Sequence, residues 1–256
     1  MDWHARFSQQ AGWTRQLRSY LFAQAGLTAA ARILEVGCGT GAVLADLAVP
    51  AAVHGLDIDP LRLAEARGHA SGARLVCGDA LHLPYPQGVF DLVFCHYLLL
   101  WVGDPLQALL EMKRVTRPGG AVLALAEPDH TARIDRPLRL ARLGRWQTRA
   151  LQRQGADPGL GGKLAGLFRQ AGLSLLETGT LQTGPGSQAG SADERELEWA
   201  VLESDLAGRV RPARLERLKR LDERAWRAGR RRLVVPTYFA WGRVGPDGII
   251  LNGEPA

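Results

Sequence analysis

Apolar and polar positions along the chain fall into two regimes. Up to residue 130, short apolar runs alternate with amphipathic stretches. Ile33, Leu34 and Val36 predict a strand over 32–36, and Val43, Leu44 and Leu47 recur at helical spacing, predicting a helix over 41–48. The same reading gives strands at 52–57, 73–77, 90–95 and 121–126 and helices at 60–67 and 104–116, the last closed by Pro118-Gly119-Gly120. Ahead of the first strand, Phe7, Trp13, Leu17, Tyr20 and Leu21 predict one or two helices over 5–25. Strands and helices alternating at this length imply a doubly wound, parallel α/β sheet, and right-handed crossovers then put every loop that follows a strand on one rim.

Beyond 130 the pattern becomes helical and basic. Arg139, Arg142, Arg145, Arg149 and Arg153 fall on one face of a predicted helix and Leu140, Leu143 and Leu151 on the other, which reads as a solvated face over a packed one. A helix at 161–171, a strand at 173–180 and a TGPGSQAGS linker at 183–191 follow. Ser191 and Glu194 have capping-box spacing and open the first of two more helices. The second carries Leu215, Leu218, Leu221 and Ala225 on one side, and a final strand runs from Pro236 to Val244. The expected organisation is one domain over 1–256: N-terminal helices at 1–30, a core at 31–130, and helical insertions at 131–160 and 182–232 that cap the rim.

Composition excludes more than it assigns. A chain of 256 residues, 46% hydrophobic, can bury a sizeable core. Cys38, Cys77 and Cys95 form no C-x-x-C pair, which argues against a disulfide framework and a structural zinc site and fits a reducing cytoplasm; no metal is expected. The first ten residues lack an apolar signal core and no run approaches the roughly 18 apolar residues of a membrane span, so a cytoplasmic protein without membrane contact is expected. The net charge of +6 is a weak guide to partners.

The chemistry concentrates in LEVGCGTGAVLADL, residues 34–47. Gly37, Gly39 and Ala42 fit a relaxed dinucleotide fingerprint, whereas Gly37, Gly39 and Gly41 fit a tighter G-x-G-x-G, so the loop alone leaves two adenosine cofactors open. Asp57, at the end of the second strand, can accept both hydroxyls of a ribose in either case. Asp79, at the end of the third, can accept from an adenine amino group.

At this point the chain resembles the class I S-adenosylmethionine-dependent methyltransferases, and among them the ubiquinone/menaquinone-biosynthesis-like (methyltransferase type 11) small-molecule group. Five elements in order carry the resemblance: Leu34-Glu35-Val36-Gly37-Cys38-Gly39-Thr40-Gly41, Gly55-Leu56-Asp57, Gly78-Asp79-Ala80, Phe90-Asp91-Leu92-Val93 and Arg117-Pro118-Gly119-Gly120. It covers 31–130, with a looser match to 244. It implies a Rossmann-like, mostly parallel sheet of seven strands with the last antiparallel, S-adenosyl-L-methionine as cofactor and S-adenosyl-L-homocysteine as product. Gly37, Gly39 and Gly41 would let the backbone approach the methionine and ribose, with Glu35 holding the loop and Cys38 a small residue within it. Asp57 would bind the ribose, Ile58 would pack on the adenine, Asp79 would take its amino group, Ala80 and Leu81 would line its edge, and the backbone at Cys95 and His96 would meet the methionine end.

A sulfonium methyl is already activated, so the protein's main task is to hold an acceptor in line with it. His96, after the fourth strand, is the leading candidate base, with Tyr238 and His130 behind it; that His96 only shapes the pocket stays open. The asparagine-proline-proline-tyrosine motif of nucleobase- and glutamine-methylating relatives is absent, and Cys95-His96-Tyr97-Leu98 stands there instead. A small-molecule acceptor is therefore expected, walled by Tyr97, Trp101, Phe7 and Trp13 in a mostly apolar chamber, with Arg139 and Arg142 candidates to turn inward toward an acidic group. The runner-up is an RNA methyltransferase, suggested by ten arginines and Lys219 within 209–232, although no RNA-binding module flanks them and nucleic acid is not expected. An NAD(P)-linked oxidoreductase explains Gly37, Gly39 and Ala42 but not Gly41 or the later motifs. A cofactor-binding protein without catalysis is the third alternative.

Overall fold

The first strand, β1 (Arg32–Val36), lies inside a seven-stranded sheet built with β2 (Ala52–Asp57), β3 (Arg74–Cys77), β4 (Phe90–Cys95), β5 (Thr116–Pro128), β7 (Ser174–Thr180) and β9 (Thr237–Arg243). The computed structural model describes residues 2–28, 30–47, 52–181 and 192–246. The strand order is β3-β2-β1-β4-β5-β9-β7; β1 pairs in parallel with both β2 and β4, and β9 runs antiparallel to β5 and β7. The expected seven-stranded sheet with one antiparallel final strand is thus the observed one.

Strand alternation gives the sheet two apolar faces. Leu34, Val36, Val93, Cys95, Val122 and Ala124 pack with α4 (Pro105–Val115) and α6 (Leu164–Gln170). Ile33, Leu92, Phe94, Ala121, Leu123 and Leu125 pack with α1 (Trp3–Ala25) and α2 (Ala42–Ala45). The remaining core helix is α3 (Pro60–His69), whose N-cap Asp59 accepts from Leu61 N. Runs buried on both faces are what a parallel sheet covered by helices requires.

The N-terminal segment is a single helix, capped by Asp2 and ended by Gly26 in the left-handed conformation. The helix expected over 41–48 is shorter, Ala42–Ala45, and its C-cap Asp46 pairs with Arg15 and Arg18 of α1. The 161–171 helix begins as a 3-10 turn, Leu160–Lys163. The linker at 183–191 and Ser191 of the capping box lie outside the described residues.

The segments after 130 that do not join the sheet build a second layer over the rim. Helices α5 (Ala141–Arg153), α7 (Ala192–Leu206) and α8 (Pro212–Arg227) bury Leu140, Leu143, Ala150, Trp199, Leu202, Leu206, Leu215 and Leu218 in a core of their own. A small ladder that periodicity missed, β6 (Ile134–Arg136) with β8 (Arg232–Val234), joins them. Its sequences, IDR and RLV, are too short and too charged to read as strands. It survives because Asp135 is paired: Arg133 Nε lies 2.8 Å and Arg231 Nη2 2.9 Å from its carboxylate. Arg231 also reaches Asp222, which accepts from Trp199 Nε1 at 2.9 Å.

Candidate functional site

Strand β1 has β2 on one side and β4 on the other, so the connections leaving β1 and β4 diverge. Such a switch point is where doubly wound sheets bind ligands. The glycine loop that follows β1 is folded back on β2: Gly37 N and Cys38 N both donate to Leu56 O, at 2.7 and 2.9 Å. Gly37 and Gly39 have φ of 75° and 52°, in the left-handed region. A Cβ at Gly37 would stand 2.6 Å from Leu98 Cδ1, and one at Gly39 would stand 3.3 Å from Phe7 Cε2. The two glycines keep space open between the loop, the turn after β4, and α1.

A cavity of ≈ 420 Å³ occupies this space. Glu35, Gly37, Gly39 and Asp57 line its sheet side, Trp3, Phe7 and Trp13 come from α1, and Gln147, Glu198 and Asp205 come from the cap. Asp57 Oδ2 accepts from Gly39 N at 2.7 Å and Oδ1 from Asp59 N at 2.9 Å, which leaves each oxygen acceptor capacity for a ligand. Glu35 differs. It is 2% exposed, its Oε2 is buried with no hydrogen-bond partner, and burial holds its pKa well above the usual carboxylate range despite the opposing pull of Arg18. An orphaned buried carboxylate oxygen beside an open cavity is a receptor for a donor or cation.

The turn after β4 is held by a residue the sequence reading missed. Glu127, fully buried at the end of β5, accepts from Leu98 N (3.0 Å) and Leu99 N (2.9 Å) on one oxygen and from Leu100 N (3.2 Å) on the other. Burial raises its pKa to about 7 against the lowering effect of those three amides. Tyr97, at φ 53°, is pinned by its N–H to Ala126 O at 3.0 Å. A strained residue persists only where its surroundings over-determine it, and here the strain sets Leu98 against Gly37. The acid in the otherwise apolar run Ala124–Pro128 was the available signal for Glu127.

His96 Nε2 lies 3.1 Å from Thr14 Oγ1, whose oxygen also accepts from Arg18 at 2.6 Å. Burial first, and the Arg18 charge second, lower its pKa to about 3. His130 Nδ1 is buried without a partner, and burial lowers that pKa to about 4. On the cap side, Arg6 Nη2 donates to Glu198 Oε2 at 3.2 Å and its guanidinium lies 5.2 Å from the Trp13 ring centroid. Gln147 Nε2 donates to Asp205 at 2.9 Å and Gln154 Nε2 at 3.4 Å. Burial raises the pKa of Asp205.

Of the residues expected at the site, Glu35, Gly37, Cys38, Gly39, Asp57, Ile58, His96, Phe7, Trp13, Tyr97, Trp101 and His130 line the cavity. Others sit apart. Gly41 starts α2 facing Ala66 and Ala70 of α3, and Cys95 is fully buried in the sheet core. Asp79 accepts from Leu81 N at 2.9 Å in the turn after β3, beside the buried Ala80 and off the cavity lining. Tyr238 packs with the α6-side core, because strand alternation turns its neighbour Thr237 to the cavity. Arg139 and Arg142 do not reach it; α5 presents Gln147, Leu151 and Gln154. The expected mostly apolar chamber therefore has a polar roof. Helical spacing was the missed signal: 147, 151 and 154 form one stripe, and 198, 201 and 205 another. Among the described residues, one group could bring three metal-ligating atoms within 4.8 Å, His4, Glu65 and His69, and it stands outside the cavity lining.

The fold and the glycine-loop site together resemble those of a class I methyltransferase domain. Residues 34–124 match the family described as "Methyltransferase domain". The chain is 41% identical over 98 residues to malonyl-[acyl-carrier protein] O-methyltransferase of Halorhodospira halophila, covering 36% of this chain and 33% of that protein. It is 35% identical over 137 residues to demethylmenaquinone methyltransferase of Lactiplantibacillus plantarum, covering 50% of this chain and 56% of that one. The matches thus span from a third to just over half the length of these relatives. In overall fold it resembles the solved [4+2]-cyclase SpnF, with a TM-score of 0.61, 23% identity, and 90% and 80% of the two chains covered. Among the described residues no helix is long and apolar enough to cross a membrane.

Proposed function

We propose that this chain transfers the methyl group of S-adenosylmethionine to a small-molecule acceptor enclosed between the sheet rim and the helical cap. The carrying observation is Glu35: a buried, unpartnered carboxylate oxygen under a loop whose glycines leave room for a ligand. A ligand with a positively charged methionine end fits it. A dinucleotide pyrophosphate does not, since it offers Glu35 neither a donor nor a cation, and α2, four residues long, offers little dipole to its charge.

In this reading Glu35 receives the cofactor's cationic end, Asp57 the ribose hydroxyls and Ile58 the adenine face, while Asp79, Ala80 and Leu81 serve only the far edge of the adenine. When bound, the cofactor supplies an activated methyl. The protein's part is to exclude water and hold the acceptor in line, which can contribute roughly 7–11 kcal/mol. His96 and His130 are neutral at neutral pH; with conjugate acids this strong, neither is a good proton store. The cavity is roofed by α1, α5 and α7, which favours a small acceptor over RNA. The basic 209–232 segment also spends charge internally, through Arg220–Glu216 at 3.0 Å, Arg227–Glu223 at 2.5 Å and the buried Arg231.

Titration calorimetry with S-adenosylmethionine, S-adenosylhomocysteine and NADH tests the cofactor, and transfer of a labelled methyl to a pool of candidate small molecules tests the reaction. Preferential NADH binding refutes the first; binding without turnover on any acceptor leaves a cofactor-binding protein.

A further inference from the structure

We infer that the methyl acceptor is an amine on an apolar body, recognised by Asp205 and the aromatic wall; this rests on the methyltransferase reading above. The charge pattern is the first argument. The described residues that line the cavity include four carboxylates, Glu35, Asp57, Glu198 and Asp205, against two guanidiniums, Arg6 and Arg62. Both guanidiniums are engaged. Arg6 donates to Gln9 Oε1 at 2.6 Å and to Glu198, and Arg62 lies 3.5 Å from Asp59 and 5.5 Å from the Phe7 ring centroid. A carboxylate or phosphate acceptor would meet excess negative charge and no uncommitted cation.

Asp205 is the second argument. Glu35 and Asp57 stand on the glycine-loop side and Glu198 has Arg6, but the bonds to Asp205 come from two neutral amides, Gln147 and Gln154. Those amides orient the carboxylate without neutralising it. Burial raises its pKa, so the carboxylate gains from a cationic or donating partner and can accept a proton from one. His130 Nδ1, buried and unpartnered, belongs to a further residue of the cavity lining.

The third argument is the wall. Trp3, Phe7, Trp13, Tyr97 and Trp101 line the cavity. Aromatic faces attract an ammonium through the ring quadrupole and cover the apolar body that carries it. In the reaction, the ammonium gives a proton to Asp205. The freed nitrogen lone pair forms the N–C bond, and the C–S bond breaks with its electron pair remaining on sulfur. The products are a methylated ammonium and a neutral thioether, and Asp205 returns its proton to solvent.

Calorimetry on the S-adenosylhomocysteine-loaded protein tests this with three probes that share a phenethyl body and differ in the head: phenethylamine, phenethyl alcohol and 3-phenylpropionate. The amine should bind at least ~10-fold tighter than the other two. In Asp205→Asn that preference should shrink to within ~3-fold while S-adenosylhomocysteine affinity, which reports folding, stays within ~2-fold; Asp205→Glu should keep part of the preference. Tightest binding by the carboxylate, equal or absent binding of all three, or an amine preference that survives Asp205→Asn overturns the inference. Failure of the unmodified protein to bind S-adenosylhomocysteine instead overturns the methyltransferase reading beneath it.

Discussion

The sheet and the cap solve the same problem, burying a helix face, by different physics. In the sheet the two cores are apolar, and the buried charges stand at its rim, where Glu35, Asp57 and Glu127 shape the site. In the cap an apolar core of leucines and Trp199 is tied down by buried charges: Arg133, Asp135, Arg231 and Asp222, with side chains 1–9% exposed. Apolar burial is tolerant of exchange, whereas a buried ion pair is costly to break and no better than well-packed hydrophobes when intact. The sheet should therefore yield gradually to substitution and the cap abruptly.

The largest effect should come from the rim. Gly39→Arg projects a long side chain from a position whose Cβ already stands 3.3 Å from Phe7. S-adenosylmethionine affinity should fall by at least ~100-fold, about 2.7 kcal/mol, measured by calorimetry on protein shown by circular dichroism to be folded. In the cap, Arg133→Ala leaves Asp135 with one cation and removes a donor from Gln147. A loss of about 3–5 kcal/mol is expected, read by hydrogen exchange as lost protection in α5, α7 and α8 while β1 and β4 stay protected. Equal loss in both regions would mean that they are one cooperative unit.

Glu127 sharpens the comparison through pH. Its folded pKa of about 7 lies above the unfolded carboxyl value, so the folded state holds an extra proton between them. Its contribution to stability should therefore fall as pH rises from 4.5 to 7 and then level, by about 3 kcal/mol in total. Denaturant melts of Glu127→Gln against pH should lack that slope, at the expense of the bond from Leu100 N.

How much of this was legible in the sequence follows the same division. Strand ends 36, 57 and 95 could be read to the residue because apolar runs stop where the rim begins, and the glycine spacing located the loop. Asp57, His96 and the aromatic wall could be placed from strand ends and helical period, and Glu35 through the family resemblance. The cap resisted for a physical reason. Its ladder, β6 with β8, is specified by pairs 96 residues apart, Asp135 with Arg231, which no local period encodes. The α5 arginines were rightly read as a solvated face. The inward residues proved to be glutamines and acids on the neighbouring stripes.

The central claim, that the rim binds S-adenosylmethionine through Glu35, is tested most directly by Glu35→Gln. Replacing a buried acid that lacks a hydrogen-bond partner by the isosteric amide should leave the unliganded fold equally or more stable, while loss of the carboxylate that would meet the cofactor's cationic end should weaken binding by about 2 kcal/mol or more. Calorimetric titration of S-adenosylmethionine, paired with denaturant melts, measures both. Lower affinity with equal or higher stability is the predicted result. Unchanged affinity in a folded Glu35→Gln protein, or no binding by the unmodified chain, would contradict it.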